Sequence, residues 1–139
     1  MSLFTCPICG TPLARDQAAY HCPSGHSYDI AKEGHTHLLP VNRKNSKAPG
    51  DDKGMANARQ AFLSKDYYAP LKNELCKLSV DLTPSTPTVL DTGCGEGYYT
   101  SAIYHALCDG GKTPQMAGTD ISKFILRLAA KREKTSSSP

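Results

Sequence analysis

The chain has 139 residues, 39% of them hydrophobic, with 16 basic against 13 acidic side chains and a formal net charge of +3. That length suits one ordinary domain, or a small module joined to part of another. No apolar run approaches the ~18 residues that a membrane span requires, and so mild a basic excess selects no partner by itself, because nucleic-acid binding depends on where cations cluster. The start, Met1 to Pro7, lacks the basic end and apolar stretch of a secretory signal, so a cytoplasmic chain is expected. Cysteine placement agrees with that. Cys6, Cys9 and Cys22 crowd the N-terminus beside His21 and His26, whereas Cys76, Cys94 and Cys108 are scattered. A metal-holding group in a reducing compartment explains this better than disulfides do.

In chain order, residues 1–39 are rich in Cys, His and turn formers and are read as a zinc-binding module. Residues 40–54 are polar and basic and read as a linker. Met55 to Leu63 is built from good helix formers. Tyr67 to Leu82 places Leu71, Leu75, Leu78 and Leu82 on one apolar stripe, expected to pack into a core, and Pro84 and Pro87 close that helix. Thr88-Val89-Leu90 then enters a glycine-rich loop as a strand. A helix follows with Ala102, Ile103, Ala106 and Leu107 on one face, ended by Gly110-Gly111. Met116 to Thr119 reads as a second strand ending at Asp120, and Ser122 as the cap of a helix burying Ile125, Leu126 and Ala129. The alternation of strand and helix predicts an α/β fold over residues 55–134. Residues 135–139 read as a disordered tail.

The cysteine spacing carries the first chemistry. Cys6-x2-Cys9 is followed, twelve residues later, by Cys22-x3-His26. A two-residue gap lets two thiolates from one turn reach the same tetrahedral Zn²⁺, and four ligands without an open position describe a structural site. Gly10 and Gly25 permit the tight turns that aim backbone N–H groups at sulfur. His21 is a rival fourth ligand, but it adjoins Cys22, where neighbouring side chains diverge along an extended segment. His35 and His37 read as surface or loop histidines.

Asp91-x-Gly93-x-Gly95-x-Gly97 carries the second. It follows a strand and precedes a helix, the setting of a nucleotide-type loop. Glycine here alternates with Cys94 and Glu96, so the pattern is not the phosphate-binding one, and an acidic loop suits a cationic, amino-acid-bearing ligand better than a pyrophosphate. Nothing near Cys94 marks a lowered thiol pKa, so it reads as packing rather than as a nucleophile.

Val89 to Gly97 resembles motif I of the class I S-adenosylmethionine-dependent methyltransferases. That resemblance implies a Rossmann-like fold in which the loop (Asp91, Gly93, Gly95, Glu96, Gly97) cradles the methionine part of the cofactor, with Asp120 at the next strand end holding the ribose hydroxyls. Taken with Ala31-Lys32-Glu33-Gly34, Leu38-Leu39-Pro40, Pro49-Gly50-Asp51, Ala58-Arg59, Phe62-Leu63, Gly93 to Thr100, Asp120 to Lys123 and Ala129 to Arg132, the chain as a whole resembles the bacterial 23S rRNA guanine-N1 methyltransferases. The resemblance implies Zn²⁺ on Cys6, Cys9, Cys22 and His26, a zinc module that helps recognise a 23S rRNA hairpin, Tyr68 as a cofactor contact, and a possible homodimer. Lys32, Arg43, Lys44 and Lys47 then become candidate phosphate contacts, with a merely solvated linker as the equal alternative.

Members of that family run well past this length, so the chain is expected to be truncated, lacking the strands that form the guanine pocket. For a complete enzyme the reaction is in-line attack of guanine N1 on the sulfonium methyl, where the protein supplies alignment and a route for the proton. No catalytic residue is assigned. Two alternatives stay open: a methyltransferase acting on a small molecule or protein, and a non-catalytic zinc-dependent RNA-binding module with a vestigial cofactor fold.

Overall fold

The computed structural model describes residues 2–136. The reading of the end as a disordered tail falls at residues 137–139 outside the described residues, whereas Thr135 and Ser136 form the last positions of a helix.

The N-terminal unit is a three-stranded antiparallel meander of β1 (Ala14–Arg15), β2 (Ala19–His21) and β3 (Ser27–Asp29). Asp16 shapes the β1–β2 turn by accepting from the backbone N–H groups of Ala18 and Ala19 at 2.7 and 2.8 Å. Its core is small: Cys6, Leu13, Tyr20 and Cys22 are buried, with Phe4, Tyr28, Ile30 and Leu38 packed around them. So little apolar surface does not stabilise a module of this size without a further staple.

After a 3₁₀ turn at Val41–Arg43, the stretch read as linker does not stay free to its end. Asp52 caps α1 (Lys53–Leu63), its side chain accepting from Met55 N–H at 2.8 Å, so the helix begins two residues before Met55. Gly50 lies against Ile121 and Ser122: a Cβ there would stand 2.8 Å from Ile121 Cγ2, and φ is +79°. Ser122 Oγ donates to Asp51 O, and Arg59 reaches back to the Asp51 carboxylate at 3.0 Å.

The second unit runs α2 (Ala69–Leu82), β4 (Thr88–Thr92), α3 (Tyr98–Asp109), β5 (Gln115–Thr119) and α4 (Lys123–Ser136). β4 and β5 pair in parallel, Leu90 opposite Ala117 and Asp91 opposite Gly118. Leu107, Ala117 and Ile125 are buried between sheet and helices, while Leu90 on β4 is 61% exposed. The mixed α/β class is as the sequence predicts.

The leucine stripe of α2 is a correction. Leu71, Leu78 and Leu82 are exposed, and α2 buries none of its residues. The helix meets α3 through a different flank: Lys72 Nζ sits 4.8 Å over the Tyr98 ring, and Val80 Cγ1 lies 3.1 Å from a Cβ built on Gly110.

α4 joins the two units. Arg127 Nε donates to Glu33 Oε1 at 2.9 Å, and Lys134 Nζ donates to the carbonyl of Lys32. Burial pushes the Glu33 carboxyl up, but its own backbone N–H, Arg127 and Lys32 together hold it below its ordinary value of 4.5. A carboxylate whose folded pKa is depressed contributes stability above its ordinary pKa and loses it as pH falls through the folded value. Acid titration of the intact chain, followed by proteolysis at the junction, is expected to show increased cleavage there as pH falls below about 4.5. In Glu33→Gln that step should disappear, leaving the junction equally weak at pH 7 and pH 4.

Candidate functional site

Two turns bring the metal-binding side chains together. Gly10 (φ +73°) and Gly25 (φ +85°) occupy the left-handed region that glycine tolerates, just after Cys9 and just before His26. The Sγ atoms of Cys6, Cys9 and Cys22 and a ring nitrogen of His26 all lie within 4.8 Å of one another. Cys9 Sγ is 3.7 Å from Cys22 Sγ, and His26 Nδ1 is 3.2 Å from Cys22 Sγ and 3.6 Å from Cys6 Sγ. Donors about 2.3 Å from a tetrahedral zinc ion are separated by about 3.8 Å, so the cluster has the dimensions of a closed zinc site. His21 is not part of it: its Nε2 pairs with Asp16 Oδ2 at 2.6 Å on the surface. His35 and His37 also lie outside the cluster.

Hydrogen bonds support the sulfurs. Tyr28 Oη lies 3.1 Å from Cys6 Sγ, Thr11 Oγ1 lies 3.0 Å from Cys9 Sγ, and His26 N–H donates to Cys22 Sγ at 3.3 Å. The Thr11 hydroxyl and backbone pull the Cys9 thiol down to about 5. Burial pushes Cys6 up, but Tyr28 and the backbone N–H groups of Cys9 and Ile8 bring it below its ordinary value. The neighbouring thiolates, Cys9 foremost, raise His26. The protein thus stabilises the ionised sulfurs that a metal requires. Tyr28 and Thr11 were missed from sequence; Thr11, two residues from a ligand, carried a local signal, whereas Tyr28 reaches Cys6 only because β3 folds back.

The glycine loop is built between β4 and α3. Gly93 N–H and Cys94 N–H both donate to Thr119 O, at 2.7 and 3.0 Å, tying the loop to the end of β5. Gly93, Gly95 and Gly97 all have positive φ, and a Cβ at Gly93 would meet nothing within 4 Å. Asp120 stands against the loop: Oδ2 accepts from Gly95 N–H at 3.1 Å and Oδ1 from Ser122 N–H at 2.9 Å. Asp91 accepts from Thr100 Oγ1 at 2.6 Å. Cys94 is pushed up to about 12, by burial first and then by Asp91 and Asp120, and packs where Gly118 leaves room. It is an inert thiol.

Two predicted contacts, Glu96 and Tyr68, are held by other elements. Glu96 is 1% exposed and turned inward, its carboxylate paired with Arg132, whose Nε also donates to Glu96 O at 3.2 Å. Removing one partner of a buried pair strands the other charge, a loss of roughly 3–5 kcal/mol. Tyr68 lies on the α1–α2 turn, 46% exposed, its ring 5.9 Å from Phe62. That turn contains Asp66 at φ +60°, held by Lys72 and by the hydroxyl of Tyr98, the first residue of α3. The zinc unit and the loop face each other across a groove of about 980 Å³, bounded by Arg15, Tyr20 and His37 on one side and Gly97, Asp120 and Lys123 on the other.

Residues 4–47 match the family model of the zinc ribbon described as "RlmA, N-terminal". A putative 23S rRNA (guanine-N(1)-)-methyltransferase of Micromonospora griseorubida is 32% identical over 91% of this chain and 46% of its own length. Over most of its length the chain is similar to 23S rRNA guanine-N1 methyltransferases, and its N-terminal third matches a zinc ribbon. The 23S rRNA (guanine(748)-N(1))-methyltransferase of Streptomyces fradiae is 30% identical over 96% of this chain, and the putative enzyme YxjB of Bacillus subtilis (strain 168) 27% over 96%. The chain spans about half the length of these curated relatives, 46–47%. Zinc is the ion that both the ribbon family and the donor set indicate.

One zinc ion per chain is therefore expected by metal analysis, with Cys22→Ser losing stoichiometric binding. Tyr28→Phe, which keeps all four ligands, should weaken zinc about 10-fold against a competing chelator.

Proposed function

We propose that this chain takes part in transferring a methyl group from S-adenosylmethionine to N1 of a guanine in a 23S rRNA hairpin, with the zinc ribbon contributing to RNA recognition. The observation that carries this reading is Asp120 locked by two backbone N–H groups beside a loop of three left-handed glycines. A carboxylate so held keeps outward lone pairs for a vicinal diol, and the open space over Gly93 admits close approach of a ligand. Gly97 is the N-cap of α3 and offers no side-chain cap, leaving the helix's first N–H groups for a carboxylate. The donors present therefore fit the ribose and the amino-acid end of that cofactor.

S-adenosylmethionine, when bound, supplies a sulfonium methyl that is already a strong electrophile. The work left to this chain is binding and orientation. Asp120 would hold the ribose, and Gly93, Gly95 and Gly97 the methionine portion. Tyr68 and Asp91 would flank it, Asp91 through its bond to Thr100. Glu96 would act from behind the loop through Arg132 rather than by touching the ligand. No side chain here is assigned as the base that takes the N1 proton. Lys32, Arg43 and Lys47 are exposed, and with Lys44 would meet phosphates. A homodimer and a cytoplasmic location belong to the same reading. So does the division into a zinc module at residues 1–39, a linker and a cofactor-binding half.

Calorimetry on the zinc-loaded chain is expected to show saturable S-adenosylmethionine binding. Asp120→Asn, which keeps the shape and removes the charge, should weaken it by about 10-fold, the value of one charge-assisted hydrogen bond. No binding by the wild-type chain at millimolar ligand would select the alternative reading, an RNA-binding module with a vestigial loop. A hairpin of 23S rRNA should shift in a gel with the wild type and not with Cys22→Ser, and an unchanged shift would remove the ribbon from RNA recognition.

A further inference from the structure

We infer that α4 is a strut through which the zinc ribbon sets the shape of the glycine loop, with Glu33, Arg127 and Arg132 as positioning residues. The helix is fastened to both units along its length. On the ribbon side, Arg127 pairs with Glu33 at 2.9 Å, and Lys134 bonds the carbonyl of Lys32. On the loop side, Arg132 holds both the carboxylate and the main-chain oxygen of Glu96, whose side chain is fully buried. Between them Ala129 lies 3.4 Å from where a Cβ on Gly97 would stand, so the backbone of α4 is seated directly against the loop.

The ribbon end of the strut depends on metal. Glu33 lies in the tight turn Ala31–Gly34, closed by Gly34 N–H to Ala31 O at 2.8 Å and by the Ile30–Thr36 bridge that continues from β3. That segment rests on the small core of Cys6, Leu13, Tyr20 and Cys22, two members of which are zinc ligands. A module so small is ordered with its metal and loses order without it, which supplies an element with two states. α4 is a rigid rod of ~1.5 Å rise per residue, so Arg127 and Arg132 stand only ~7.5 Å apart along it. A displacement that releases Arg127 is carried to the seat of Gly97 and to Glu96. Zinc occupancy thus controls the cofactor loop without any zinc ligand approaching it.

The part of this inference that concerns loop geometry is independent of the proposed function; only the part that concerns affinity rests on it. The test is hydrogen exchange by mass spectrometry on the full chain, with zinc content measured in parallel. Glu33→Gln and Arg127→Met should retain one zinc per chain, yet raise exchange at residues 93–98 and 123–134 while the ribbon stays protected. Arg127→Lys, which keeps a cation, should restore part of the protection. S-adenosylmethionine affinity in the two disruptive variants should fall by about 5- to 20-fold, within the usual range of coupling between sites. Wild-type exchange at residues 93–98 in both Glu33→Gln and Arg127→Met would overturn the inference. Chelating the zinc should reproduce the same pattern in the loop; a chelated chain that keeps its loop protected would also overturn it. If the wild-type chain binds no S-adenosylmethionine, the proposed function fails and the exchange comparison still decides the strut.

Discussion

Three sulfurs and an imidazole within 4.8 Å of one another make a crowded set of donors, and hydrogen bonds from Tyr28 to Cys6 and from Thr11 to Cys9 favour the thiolate form of those two. Such a cluster is self-repulsive until a cation neutralises it. Among the described residues the ribbon around it has five buried hydrophobic side chains, Cys6, Leu13, Ala19, Tyr20 and Cys22, and strands of two or three positions, too little to offset the entropy of ordering the chain. Metal binding is therefore the dominant stabilising term for the first third of the molecule. Whatever rests on the ribbon, including the Glu33 turn and through it α4, inherits that dependence.

The second unit is organised around close backbone approach rather than around bulk. Gly97 admits Ala129, Gly118 admits Cys94, and Gly50 admits Ile121 and Ser122. Each contact brings one element against the ends of β4 and β5, where Asp120 and the loop meet. The sheet itself has two strands, and Leu90 on it is exposed, so packing alone is a weak source of rigidity here. Specific bonds supply the rigidity instead, from Gly93 and Cys94 to Thr119, from Gly95 and Ser122 to Asp120, and from Arg132 to Glu96.

Features set by short sequence spacing were legible; those set by distant partners were not. Cys6-x2-Cys9 and Cys22-x3-His26 specify a ligand set because the gaps are the length of a turn, and the structure brings those four together and leaves His21 with Asp16. The strand–loop–helix order and Asp120 at the end of β5 were equally readable. Glu96, by contrast, sits among loop glycines in sequence, and its inward turn is decided by Arg132, 36 residues later. The leucine stripe of α2 had the right period for burial but not the right azimuth, since α3 takes the flank of Lys72 and Val80. Periodicity identifies an apolar face without identifying what will cover it.

The connection between the units has two halves of opposite character, with a consequence for how this chain tolerates change in length. Around Lys44 to Lys47 the backbone is mostly exposed, and added residues there would cost only the slow logarithmic growth of loop closure. From Gly50 to Asp52 every position is committed: Gly50 to contact with Ile121, Asp51 to Ser122 and Arg59, Asp52 to the cap of α1. Insertions should therefore accumulate on the ribbon side of Pro49 and be excluded beyond it. The same short stretch of polar sequence is an elastic spacer at one end and a fixed hinge pin at the other.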